Sequence, residues 1–305
     1  MKAVIDAHHH FWKYSPAEYG WIDEQKAILR RDFGPEELKA EIAAAGVDGV
    51  ISVQARQTTA ETDSLLNLAE KNEFIRGVVG WGPLLDSARL REHLERWLHS
   101  TGSPRVDSTG SPRANSTSSP PAGRTKLVGL RHVLQDEPDD QFILRPDFDA
   151  GLASLKEYDL RYDLLIFERQ LSAAIEAVDR HPQQVFILDH IAKPRIAGGE
   201  FSMWEKQIRD LAKRSHVYCK ISGVATEANW KTWTAAQLQP YFDVVLEAFG
   251  PGRLMFGSDW PVCLLASGYG HWAQTVRNWT SRLSTEEQSQ IWGRTALKAY
   301  GVAPA

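Results

Sequence analysis

Ala3-Val4-Ile5-Asp6-Ala7-His8-His9-His10-Phe11-Trp12 opens as a β-branched run and breaks, with no turn residue between, into polar and aromatic side chains. A short apolar run of this kind suits a strand buried on both faces. The texture returns down the chain. Counting residues 3–6, runs of this type fall at 49–53, 75–81, 126–133, 161–166, 184–188, 217–222 and 253–257. Between them lie longer segments with apolar residues three and four apart, at 35–46, 62–72, 90–98, 148–158, 171–181, 203–214, 237–249 and 285–300. The first has Pro35 and two acids at its start and Gly46 at its end, the usual punctuation of a helix. Eight strands, each followed by a helix, predict a distorted (β/α)8 TIM barrel in a single α/β domain spanning 1–305. An open doubly wound sheet is the alternative. No GxGxxG or GxxxxGK[ST] follows any strand, which argues against dinucleotide and P-loop folds.

Residues 100–124 break the alternation. They consist almost entirely of Ser, Thr, Gly, Pro and Arg, and STGSPR occurs at both 100–105 and 108–113. Such a stretch buries too little to offset its ordering entropy, so it is expected to be a flexible surface insertion within the barrel.

Composition narrows the function. The 305 residues are 43% hydrophobic and 24% charged, enough for a large core. Lys+Arg 35 against Asp+Glu 39 gives a net charge of −4, with no basic excess to hold a nucleic acid. No apolar run reaches the roughly 18 residues that span a bilayer, and the first residues do not read as a secretion signal. Cys219 and Cys263 are too few for a disulfide framework. The expectation is a soluble cytoplasmic enzyme acting on a small molecule, with no nucleic-acid or membrane partner.

In a barrel, the chemistry belongs at the C-terminal ends of the strands. Polar groups gather there: His8, His9 and His10 after the first run, Gln54 and Arg56 after the second, Trp81 after the third, and Arg131-His132 at the fourth. Asp189, His190 and Lys193 follow the sixth, Lys220 sits in the seventh, and Asp259-Trp260 follow the eighth. Histidines at i and i+2 on a strand share a face about 6.5–7 Å apart, so His8 and His10 can address one cation or one substrate oxygen while His9 points away. Asp259 suits a general base for a water nucleophile, or else an N-cap. His190 reads as a metal ligand, an acid, or a buried histidine held by Asp189. Lys220 must face a polar lumen or pair with a carboxylate. Arg56, Arg131 and Lys193 either clamp a polar substrate or form rim ion pairs. Trp12, Trp81 and Trp260 lie beside these positions and can stack on a sugar ring, whereas Trp97, Trp204, Trp272, Trp279 and Trp292 belong to helical segments and core. Cys263 has no activating partner in sequence and reads as an inert wall residue.

Taken together, Asp6-x-His8-x-His10-Phe11-Trp12, Gln54-Ala55-Arg56-Gln57, Arg131-His132-Val133, residues 188–194 (LDHIAKP) and 256–261 (FGSDWP) resemble the amidohydrolase superfamily. Within it they are similar to the lactonase branch that includes L-fuconolactonase and L-rhamnonolactonase. The resemblance implies a barrel that opens a sugar lactone, with Asp259 deprotonating the attacking water. It also implies that His8, His10 and His190, with Asp259, bind one divalent ion (Zn or Mn), or that the histidines contact substrate directly in a metal-free reaction. Arg131, Lys193 and Trp260 would hold the ring and its hydroxyls, with Trp12, Gln54, Arg56, Trp81, His132 and Lys220 as further substrate-binding positions. The fourth strand offers no carboxylated Lys or Glu and the fifth no His, against a two-metal centre. Two other readings compete: a metal-dependent decarboxylase of the same superfamily, and a binding protein that has kept the pocket.

Overall fold

The computed structural model describes residues 3–99 and 125–303, so the expected insertion at 100–124 lies outside the described residues. Strand β1 (Ile5–His9) is followed by helix α1 (Pro35–Ala45), then β2 (Gly49–Val53), α2 (Thr59–Lys71), β3 (Ile75–Gly80) and α3 (Ser87–His99). Strands β4 (Leu127–His132), β5 (Arg161–Leu164), β6 (Phe186–Leu188) and β7 (Val217–Ile221) alternate with α4 (Pro146–Ser154), α5 (Leu171–Arg180), α6 (Ser202–Leu211) and α7 (Ala235–Phe249). The series ends with β8 (Leu254–Phe256), α8 (Tyr269–Thr280), α9 (Thr285–Ser289) and α10 (Thr295–Tyr300).

The eight strands pair in chain order, all parallel. β8 returns to β1 through a short seam: His9 bridges Trp260, His10 N–H donates to the Trp260 carbonyl (2.7 Å), and Asp259 N–H donates to the His8 carbonyl (2.8 Å). The barrel is therefore closed by the same residues that carry its polar chemistry. The local signals explain the helices. α1 starts with Pro35, Glu36 and Glu37 and stops at Gly46, whose φ of 67° lets its N–H reach the Ile42 carbonyl. α5 buries Leu171, Ala174, Ala177 and Val178, one face of the helix. Among the described residues, no helix is long and apolar enough to cross a membrane.

The expected helical segment over 285–300 is present as α9, a π-helical turn and α10, but the sequence reading missed the helix before it. The helix after β8 is α8, and 285–300 breaks at a π-helical turn over Gln290–Arg294. Gly293 is the cause: a Cβ there would stand 2.0 Å from the Ala3 carbonyl oxygen, so only glycine lets this segment press against β1. α10 then closes the lower end of the barrel, where Ala296, Leu297 and Tyr300 pack with Ile5, Val79 and Met255. The lumen is apolar below and polar above.

Candidate active site

The polar layer begins inside the barrel. Asp163 on β5 and Lys220 on β7 are both wholly buried, and Lys220 Nζ donates to Asp163 Oδ2 (2.5 Å) and lies 2.9 Å from Asp189 Oδ1. Asp189 Oδ2 accepts from Arg131 Nη1 (2.9 Å), and the Tyr300 hydroxyl rises from α10 to donate to Asp163 (2.7 Å). Burial alone works against ionising Asp189, but Lys220, His8 and Arg131 outweigh it and hold its carboxyl well below the usual range. Burial pushes Asp163 up to about 6. This cluster bears on His8, whose Nδ1 lies 3.1 Å from Lys220 Nζ and 3.3 Å from Asp189 Oδ1.

Above it, three imidazoles converge on Asp259. His10 Nδ1 is 2.8 Å from the Val53 carbonyl, which can only accept, so Nδ1 carries the proton and Nε2 faces the site. That Nε2 is 3.2 Å from His8 Nε2 and 3.3 Å from Asp259 Oδ1. His8 Nε2 and His190 Nε2 lie 3.8 and 3.9 Å from the same oxygen. His190 is anchored from behind by Ser222 Oγ (2.9 Å), not by Asp189, which corrects one of the readings of that residue. Burial pushes His190 down to about 4 and His8 well below its usual value, so both are neutral at pH 7. Burial also opposes ionisation of Asp259, yet His190, His10 and Lys193 around it outweigh that cost, leaving the carboxylate below its ordinary value.

The backbone here is strained. His190, Ile191, Ala192 and Lys193 are all left-handed (φ 46–61°), as is Asp259 (φ 58°). For non-glycine residues that conformation costs about 1–2 kcal/mol each, and such outliers concentrate at functional sites. Gly223, at φ +62°, permits the approach behind His190, because a Cβ there would lie 2.6 Å from His190 Nδ1.

These groups open into a cleft of about 800 Å3 whose wall includes His10, His190 and Asp259. Of the substrate positions expected from sequence, Trp12, Arg56, Arg131 and Lys193 line it. Direct contact is corrected for five others, which lie off its wall. Gln54 is fully buried and donates to the Arg131 carbonyl; Lys220 lies in the ion-pair layer below. Trp260 is fully buried against Phe11 and Phe33. His132 is bound to Glu137 (2.7 Å) and stacked on Phe142, and the Trp81 indole N–H points to His132 Nδ1 (3.4 Å). Arg131 is itself mostly engaged, reaching the Gln54 carbonyl, Asp189 and His8 Nε2. His9, expected to point away, is buried on Ser52 Oγ (2.8 Å).

Sequence reading missed several cleft residues. Glu18 and Trp21 come from the β1–α1 connection, Phe167 from the segment after β5, and Glu227 and Trp230 from that after β7. None stands at a strand end, so the strand-end rule does not find them. Asp163 was findable, because an acid within the apolar run of β5 is the same signal that marked Lys220 on β7.

His8, His190 and Asp259 each offer a ligand atom, all within 4.8 Å of one another. With the His10 Nε2 beside them, the donors are imidazole nitrogen and one carboxylate, a set that suits zinc. A family profile described as Amidohydrolase matches residues 5–302. The chain belongs to the amidohydrolase family. This amidohydrolase is 39% identical over 309 residues to an L-fucono-1,5-lactonase of Burkholderia multivorans, covering 98% of this chain and 96% of the relative. A solved amidohydrolase structure from Burkholderia multivorans with bound zinc is 39% identical, covers 99% of this chain with 100% of its own, and superimposes with a TM-score of 0.87. The solved 5-carboxyvanillate decarboxylase of Sphingomonas paucimobilis is 14% identical, covers 99% of this chain with 100% of its own, and has a TM-score of 0.62, a likeness of fold alone.

Proposed function

We propose that this amidohydrolase hydrolyses a sugar lactone of the L-fucono-1,5-lactone kind to the open sugar acid. The observation that carries the reading is the Asp259 carboxylate, held ionised and aimed at three imidazoles on the floor of a cleft walled by aromatic and polar side chains. Asp259 takes a proton from the attacking water as its oxygen bonds to the lactone carbonyl carbon. The ring C–O bond then breaks, and the proton on Asp259 passes to the leaving ring oxygen. Arg131 and the imidazoles border the space where negative charge collects on the carbonyl oxygen. His8, His10, His190 and Asp259 fit one zinc ion, which when bound would polarise the carbonyl and acidify water. A lactone is activated relative to an amide, so a single base with fixed donors suits its hydrolysis better than the harder bond.

The two buried free thiols, Cys219 and Cys263, support a reducing cytoplasmic setting. A pH-indicator assay with aldonolactones, before and after chelation, tests the reading. Opening of L-fucono-1,5-lactone is expected. A folded protein that opens none of the lactones and instead releases CO2 from an aromatic acid would replace it with the decarboxylase alternative.

A further inference from the structure

Two ion pairs border the cleft, and they differ in how tightly they are closed. Arg56 and Glu18 are in direct contact. Lys193 Nζ and Glu227 Oε1 stand 3.9 Å apart, beyond hydrogen-bond range, with side chains only 18% and 20% exposed. Lys193 is fixed in the left-handed turn after His190, with its ammonium 5.6 Å from the Phe167 ring centroid. Glu227 ends a short 3-10 turn after β7. Beside it Trp230 is locked by its indole N–H on the Thr226 carbonyl (2.8 Å). The gap is too narrow for an atom to enter in line, but an oxygen on the cleft side can lie within hydrogen-bond range of both heads. A hydroxyl about 2.8 Å from each head accepts from Lys193 while donating to Glu227. Only a group that both accepts and donates satisfies the two at once.

The geometry points to Glu227, acting with Lys193, as a specificity-determining residue that reads one hydroxyl of the substrate ring. The inference rests on the sugar-lactone reading and extends it. Glu227 converts Lys193 from a general anion-attracting charge into a reader of a neutral polyol, because the carboxylate offsets the ammonium and rejects a negatively charged substituent. Burial holds the Glu227 carboxyl above its usual value, while Lys193 restores part of its ionisation. An ether in place of the hydroxyl leaves Glu227 unsatisfied, and a hydrogen leaves both heads so.

The test compares wild type with Glu227→Gln and Lys193→Met. Turnover is measured on L-fucono-1,5-lactone and on unsubstituted δ-valerolactone, and calorimetry measures binding of 1,5-anhydro-L-fucitol, which has the ring hydroxyls but no carbonyl. The expected result is a drop of roughly 10–100-fold in the kcat/KM preference for the hydroxylated lactone, weaker binding of the anhydro sugar, and a double variant no worse than the single ones. A preference ratio unchanged in Glu227→Gln, with wild type active, overturns the inference and leaves the lactone reading standing. A wild type that opens no lactone but binds the anhydro sugar through Glu227 overturns the reading and keeps the pair. Absence of both overturns both.

Discussion

The ion pairs at the barrel mouth form two levels with opposite designs. In the lower level Lys220, Asp163 and Asp189 are sealed from water and pair at 2.5–2.9 Å, with Arg131 joining Asp189 from the cleft side. In the upper level Lys193 and Glu227 are partly exposed and held apart. Charges removed from water must be paired within the protein, because an uncompensated buried charge is costly. Charges at a cleft wall can stay open because water, or a substrate, completes them. The lower level therefore fixes the position of His8, and the upper one is free to choose what binds.

Asp259→Asn should produce the largest effect. It removes the base from the boundary between the levels, so kcat should fall on the order of 10^3-fold with little change in KM, read by steady-state lactone hydrolysis. Near-normal turnover would remove Asp259 from the base role. The same residue fixes the acid limb. Because its folded pKa is depressed, the base form persists as pH falls, and the wild-type kcat/KM should stay flat until below the range where an ordinary aspartate takes up its proton. Lys220→Met strikes the sealed level and should lower the unfolding free energy by about 3–5 kcal/mol in urea titration. A loss below about 1 kcal/mol would mean the lower level is not sealed, breaking the contrast.

Glu61→Gln sharpens the rule for a carboxylate that is buried with no cation in direct contact. Glu61, under the Arg56 loop, accepts from the Ala55 and Arg56 backbone N–H groups, and burial pushes it up to about 7. Between its unfolded value and that figure the folded state keeps a proton the unfolded chain has lost, so stability falls as pH rises across the interval. The variant should lose that share of the fall, about 3 kcal/mol, measured by urea unfolding at pH 5 and pH 8. The smallest effect belongs to the exposed side of the cleft. Trp21 is 39% exposed at its rim, and Trp21→Ala should raise KM by roughly 3–10-fold, the size of one weakened ring contact. Stability should be untouched.

The barrel was legible because eight short, mostly apolar runs alternate with longer segments of helical period. The His8–His10–His190–Asp259 meeting was legible because all four sit at strand ends. Which neighbours face the cleft was not, since His132 and Arg131 are adjacent on β4 yet one is bound to Glu137 while the other reaches Asp189 and His8. Strand parity separates them only when the barrel's tilt and the outer loops are known. Glu18, Trp21 and Glu227 come from connections whose paths no periodicity encodes. The last helical segment was placed correctly, but α8 was missed and the amphipathic spacing at 285–300 hid the break that Gly293 makes against Ala3.

The seam between the first and eighth strands carries a timing consequence. The histidine pair is made well before its carboxylate partner, and each donates or accepts the backbone hydrogen bonds that join the ring of strands. A nascent chain acquires its reactive centre only when the ring shuts, so partial products of synthesis are chemically silent.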